Sequence, residues 1–122
     1  MEVLASRVLL HPVDMQRSIE FYRDVLGLAI AREFPGGTVF FMGGGFLELS
    51  GNATAPAGGA IAFWLQVRDL AAAHHELAAH VVRAPRQEPW GLHEMWIADP
   101  DGTRIVLVQI PEDHPIRRDS RP

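Results

Sequence analysis

Pro89-Trp90-Gly91-Leu92-His93-Glu94-Met95-Trp96-Ile97-Ala98-Asp99-Pro100-Asp101-Gly102 contains a tight turn with a strand on either side. In its last four residues Pro100 presets φ, Asp101 tolerates the left-handed region and Gly102 takes positive φ without steric cost, which is the chemistry of a hairpin loop. Upstream, residues 94–98 are short and aromatic-rich; downstream, residues 103–110 are β-branched almost throughout. The chain therefore closes on a β-hairpin. His93, Glu94 and Arg104 interrupt its apolar character and predict a bound molecule against its inner face.

Working outward, the same grammar appears twice. Residues 3–11 read as a strand stopped by Pro12, which cannot donate to a ladder. Asp14 is placed to cap a helix on which Met15, Ile19, Tyr22 and Val25 or Leu26 recur at helical spacing, and Gly27 supplies its C-terminal left-handed position. Strands are predicted over 28–34, 38–42 and 46–50, punctuated by Pro35-Gly36-Gly37 and Gly43-Gly44-Gly45. Residues 51–59 are Ala-, Gly- and Pro-rich and read as a linker. Then the order restarts with a strand over 60–67, a capping Asp69, and a helix whose buried side is marked by Leu70, Ala73, Leu77 and Val81. Strands over 81–87, 92–98 and 103–110 complete it.

This repeat of roughly fifty residues predicts an α+β fold in which two βαβββ modules, 3–50 and 60–110, form one domain over 1–110. Each module cannot cover both faces of its own sheet. Pairing them, within a chain or across a homodimer, puts the helices outside and leaves a concave mixed-sheet cup. Residues 111–122 read as a polar surface tail.

Bulk properties exclude several classes of function. A chain of 122 residues fits one domain, and the absence of cysteine removes disulfides, thiolate metal sites and cysteine nucleophiles. A formal charge of −4 with no basic cluster before the tail argues against nucleic acid as a partner and favours neutral or cationic ligands. There is no signal-like N-terminus and no apolar run near the ~18 residues a span needs, so a cytoplasmic protein with no membrane partner is expected. His75 and His80 stand five apart where a zinc-binding helix needs four, and the triple glycine lacks the Lys-Ser/Thr of a phosphate loop. Both are read as structural, and His114 as a surface residue.

Pro12-Val13-Asp14-Met15-Gln16-Arg17-Ser18-Ile19-Glu20-Phe21-Tyr22-Arg23-Asp24-Val25-Leu26-Gly27-Leu28 closely resembles the helix signature of the vicinal oxygen chelate superfamily, the glyoxalase, bleomycin-resistance and extradiol-dioxygenase group. Val67-Arg68-Asp69-Leu70 and the Asp99-Pro100-Asp101-Gly102 turn match the second half, and Trp90-Gly91 followed by Glu94 is most similar to the bleomycin-resistance-like branch. The resemblance implies the glyoxalase-like fold and, in the metal enzymes, four ligands from the first and fourth strands of each module. Carried over by spacing, those positions are Arg7, Glu48, Ala62 and Val106. Arg7 has no lone pair to give and the last two have no donor atom, so no metal and no cofactor is expected, and Arg7 and Glu48 are placed to pair instead. His11 and Glu94 are the nearest substitute ligands.

Strand parity puts Arg7 and His11, Phe46 and Glu48, and Trp64 and Gln66 on common faces. The predicted ligand-binding set is Arg7, His11, Phe46, Glu48, Trp64, Gln66, Trp90, Glu94 and Arg104. Phe46, Trp64 and Trp90 serve as walls, and Arg7, Glu48 and Glu94 set orientation. The expected function is a dimeric, metal-independent small-molecule binder resembling antibiotic-binding proteins that act by sequestration. Its rivals are a glyoxalase-like lyase or isomerase or a dioxygenase-type enzyme using His11, Glu48 and Glu94 as a non-standard ligand set, a metal-free enzyme with Glu48 or His11 as general base, and a dimerisation or regulatory module with a vestigial cup.

Overall fold

A computed structural model describes residues 1–115. The charged tail residues Arg117, Arg118, Asp119 and Arg121 lie outside the described residues. The chain forms two compact units: Met1–Gly58 together with Asp99–Gly102, and Gly59–Ala98 resuming at Thr103.

In the first unit β1 (Arg7–Leu10), α1 (Met15–Glu20), β2 (Ile30–Phe34), β3 (Gly37–Met42) and β4 (Gly45–Ser50) follow the predicted order. The sheet runs β1-β4-β3-β2, with β1 parallel to β4 and the other pairs antiparallel. Asp14 caps α1, its carboxylate accepting from Arg17 N at 3.2 Å. The helix differs from a regular three-turn element. After Glu20 it widens over Phe21–Val25, where Leu26 N donates to Phe21 O at 3.0 Å, and Gly27 at φ +70° ends it. This wide turn carries two consecutive buried aromatics, Phe21 and Tyr22, packed edge to face at 5.2 Å. Tyr22 lies 6.3 Å from Phe40 of β3, which marks the helix-bearing face of the sheet. β1 is shorter than residues 3–11. Its ladder begins with Arg7 against Phe46, next to the first residue of β4, and the exposed residues before it have no strand beside them.

The second unit contains β5 (Ala62–Gln66), α2 (Leu70–Glu76), a 3-10 turn (Ala78–His80), β6 (Val81–Gln87), β7 (His93–Ala98) and β8 (Arg104–Gln109). Its sheet, β5-β8-β7-β6, repeats the first in order and direction. Asp69 caps α2 through Ala72 N at 3.0 Å, and the side chain of Gln109 accepts from Leu70 N at 2.7 Å. Leu70 and Leu77 are buried as the periodicity predicts, and Val81, which stands both on that stripe and at the start of the predicted strand over 81–87, opens β6. The helix ends at Glu76, which leaves His75 and His80 on different elements. Residues 51–59 hold no helix or strand.

The two motifs behind the family resemblance meet in the first unit. Tyr22, fully buried, donates its hydroxyl to Asp99 Oδ2 at 2.7 Å, while Asp99 Oδ1 accepts from Asp101 N at 2.9 Å and its carbonyl accepts from Gly102 N. Asp101 in turn accepts from Val13 N at 3.0 Å, just before α1. Burial, with the Asp99 carboxylate beside it, pushes the Tyr22 phenol well above its ordinary range and keeps it a donor. Removing that donor with Tyr22→Phe leaves a buried carboxylate short of a partner. A loss of about 1.5–3 kcal/mol in urea denaturation is expected; a loss below about 0.5 kcal/mol would mean that the bond contributes nothing.

Candidate functional site

Side chains alternate between the two faces of the first sheet. Leu47 and Leu49 of β4 are fully buried, and Phe40, the partner of Leu47, faces the helix with them. Arg7 and Leu9, with Phe46, Glu48 and Ser50, therefore occupy the opposite face. There Arg7 Nη1 donates to Glu48 Oε1 at 2.7 Å and Ser50 Oγ donates to Glu48 Oε2 at 2.8 Å. His11 Nδ1 donates to the Ser50 carbonyl at 2.6 Å. A carbonyl only accepts, so Nδ1 carries a proton. Phe46 packs on the half-exposed Phe41 at 5.4 Å. Arg7, His11, Phe46 and Glu48 thus share one sheet face.

The Arg7 guanidinium, then the Ser50 hydroxyl, hold the Glu48 carboxyl below the usual carboxylate range against a smaller opposing effect of burial. This arrangement does not fit a divalent metal. Arg7 has no lone pair, and both Glu48 oxygens are already engaged. The second unit repeats the register, Ala62 beside Arg104 and Trp64 beside Val106 where the first has Arg7 beside Phe46 and Leu9 beside Glu48. The remaining two family positions therefore hold a methyl group and the Val106 side chain, which packs against Leu92, Val108 and Ile110. Of the substitute ligands, His11 has only Nδ1 engaged, but Glu48 is taken up by Arg7 and Ser50, and the buried Glu94 accepts the Trp90 indole N–H at 2.7 Å. Among the described residues no three His, Cys, Asp or Glu side chains gather to hold an ion.

In the second unit Trp90 is 58% exposed, yet held at both ends. Its indole N–H is bonded to Glu94, and His114 Nε2 donates to its carbonyl at 2.8 Å. Gly91, at φ +94°, lies beneath His114, where a Cβ would come within 3.0 Å of the imidazole. His114, read as a surface residue, is partly exposed and also positioned, because the bare Gly91 admits the ring. Trp64, 49% exposed, and Gln66 share one face of β5, so neither is core. Arg104 stands 4.1 Å over the Trp96 ring, and so does Arg83 from β6.

Arg83 and Glu88 are missing from the sequence-predicted set. Arg83 Nη2 reaches Glu88 at 2.5 Å and the Glu94 carbonyl at 3.0 Å, and Arg86 joins Glu88 at 3.1 Å. Arg86 and then Arg83 hold the Glu88 carboxyl below its usual range despite burial. The only signal in the sequence was parity, since Arg83 pairs with Trp96 across the ladder, and two bulges in β6 hide that parity. Separately, a cavity of about 500 Å³ bordered by Met15, Ile19 and Phe34 lies by α1 in the first unit and includes none of the predicted residues.

Two βαβββ units of matching register, each with a parallel first-and-fourth strand pair, define an α+β protein of vicinal oxygen chelate type. The chain belongs to the Glyoxalase/Bleomycin resistance protein/Dioxygenase superfamily, which it matches over residues 6–107. Among solved structures it is similar to a glyoxalase/bleomycin resistance protein/dioxygenase from Nocardioides, at TM-score 0.76 and 20% identity over 93% of this chain and 87% of that one. A glyoxalase-related enzyme from Fulvimarina pelagi gives 0.73 and 23% over 91% and 90%, and a lactoylglutathione lyase from Agrobacterium tumefaciens 0.67 and 23% over 89% and 94%. At these identities the likeness is one of fold. No curated protein sequence matches the chain. No helix among the described residues is long and apolar enough to cross a membrane.

Because the Glu48 pKa is depressed in the folded state, its contribution to stability is present above the ordinary carboxylate range and is lost as pH falls through the lowered value. Glu48→Gln is expected to flatten the acid limb of a stability curve measured below about pH 4.3, relative to wild type. Parallel curves for the two proteins would show that the Arg7–Glu48 pair has no preferential hold on the charged form.

Proposed function

We propose that this chain is a metal-independent small-molecule binding protein that acts by capture, as in sequestration of an antibiotic. The observation that carries the proposal is the Arg7–Glu48–Ser50 network, which fills a family metal position with an ion pair. On this reading Arg7, Glu48 and His11 present a hydrogen-bonded edge with a paired charge beside Phe46, while Trp64, Gln66, Trp90, Glu94 and Arg104 provide aromatic and polar surface in the second unit. Catalysis by Glu48 as general base is disfavoured, because a carboxylate held below its usual range takes up a proton less readily at neutral pH. The preference for a cationic ligand, expected from net charge, also weakens, since Arg7 already neutralises Glu48.

A homodimer belongs to the proposal. Val8 and Leu9 on the edge strand β1 and Ile61 beside the edge strand β5 are about half exposed, as apolar association surfaces are. So does a cytoplasmic location, as the default for a chain without a long apolar run.

Elemental analysis of tag-free protein is expected to find nickel, zinc, iron and manganese all far below one equivalent. Tryptophan fluorescence titrated with bleomycin-like glycopeptides, aromatic polyketides and a glutathione hemithioacetal is expected to show saturable quenching by at least one planar ligand without turnover. A stoichiometric metal, or conversion of the hemithioacetal, would overturn the capture reading.

A further inference from the structure

The Arg83, Trp96 and Arg104 cluster in the second unit has more donors than acceptors. Two guanidinium groups stand 4.1 Å from the centre of one indole. Arg83 is compensated by Glu88 and by the Glu94 carbonyl, through Nη2. Its Nε and Nη1, together with Trp96 Nε1, are sealed from solvent with no hydrogen-bond partner among the described residues. Such orphaned donors are rare in folded proteins, where nearly every buried polar atom is paired. Arg104 is exposed and forms no ion pair or hydrogen bond among the described residues; its ring contact with Trp96 alone positions it. The register makes this more than a surface accident. Arg104 lies beside Ala62 as Phe46 lies beside Arg7, so it stands on the face that carries the polar network in the first unit.

We infer that this cluster binds an oxyanion, foremost the carboxylate of an aromatic acid. The inference rests on the capture reading and names its ligand class. Arg104 makes the primary contact, since its planar fork matches the two oxygens of a carboxylate and its charge is uncompensated. Rotation of this exposed side chain off the indole frees the ring face that it covers, and the anion it carries supplies the acceptor that Trp96 Nε1 lacks among the described residues. The Trp96 ring, still backed by Arg83, then offers a stacking surface to the aromatic part of the ligand. The shared chemistry is the oxyanion, and inorganic phosphate tests whether the arene adds to it. The local preference is opposite in sign to the expectation from a net charge of −4, because binding responds to the few charges at contact distance.

The test follows the Trp96 indole N–H by two-dimensional NMR, the signal being identified by its loss in Trp96→Phe. Benzoate, inorganic phosphate, benzamide and benzylammonium are each titrated into full-length protein. A saturable shift of that signal is expected with benzoate, a weaker one with phosphate, and none with benzamide or benzylammonium. Arg104→Gln is expected to weaken benzoate about tenfold or more, and Arg104→Lys to keep part of the affinity, with unchanged circular dichroism in both. Equal binding of benzoate and benzamide, or a benzoate affinity indifferent to Arg104→Gln, overturns the oxyanion assignment while leaving capture standing. Silence of the Trp96 signal towards benzoate and phosphate also overturns it. Capture itself falls only by its own measurement, a stoichiometric metal or turnover of the hemithioacetal.

Discussion

A guanidinium at residue 7 governs the chemistry of the first unit's open face. A divalent cation asks its site for several lone pairs converging from different directions; a guanidinium asks for the same acceptors in one plane and supplies the positive charge itself. Glu48 meets that second demand, giving one oxygen to Arg7 and the other to Ser50, whose carbonyl then fixes His11. Four side chains are thereby locked into one hydrogen-bonded chain. The Arg7 side chain is 42% exposed, so solvent screens the pair and its worth lies in orientation more than in stability.

The two units show how the same backbone register accepts unlike chemistry. Arg7 and Ala62, Phe46 and Arg104, Glu48 and Val106, Leu9 and Trp64 fall at matching points of matching ladders. The helix-facing halves of the strands must stay apolar in both, and Leu47, Leu49, Ile105 and Leu107 do. The opposite face is under no such obligation, so one unit presents an ion pair and the other a cluster of arginines on tryptophan. Family membership fixes the ladder and leaves these side chains open, and function has to be argued from them.

What was legible in the sequence was whatever local chemistry decides. Asp14 and Asp69 cap helices because a short carboxylate reaches the amide three residues on, whatever surrounds it. The Asp-Pro-Asp-Gly turn and the positions of the strands are legible for the same reason. Strand parity also assigns Arg7, Glu48 and His11 to one face. The errors arose where a distant partner decides. Residues 3–6 have strand composition but no strand beside them, so β1 starts at Arg7. Val81 fits both the helical stripe of α2 and the strand over 81–87, and pairing with Ile97 decides for β6. The bulges in β6 break the alternation by which Arg83 would have been assigned to the face of Trp96, and the approach of His114 to Gly91 joins residues that no local pattern connects.

Trp90 and Trp96 lie on the same hairpin and read alike in the sequence, since an indole suits a core as well as a binding surface. What separates them is the fate of one N–H. Trp90 donates to Glu94, and this bond, with His114 on its carbonyl, holds more than half of the residue's surface in solvent. An aromatic fixed in that way has already lost much of its rotameric freedom, so a ligand stacking on it has less order to impose. Trp96 has the reverse arrangement. Its ring carries two guanidinium groups and its N–H has no acceptor among the described residues, so its ring is occupied and its hydrogen bonding is not complete. On the proposed capture reading, a fixed platform and an unfilled polar valence contribute differently to recognition, one suited to shape and the other to charge.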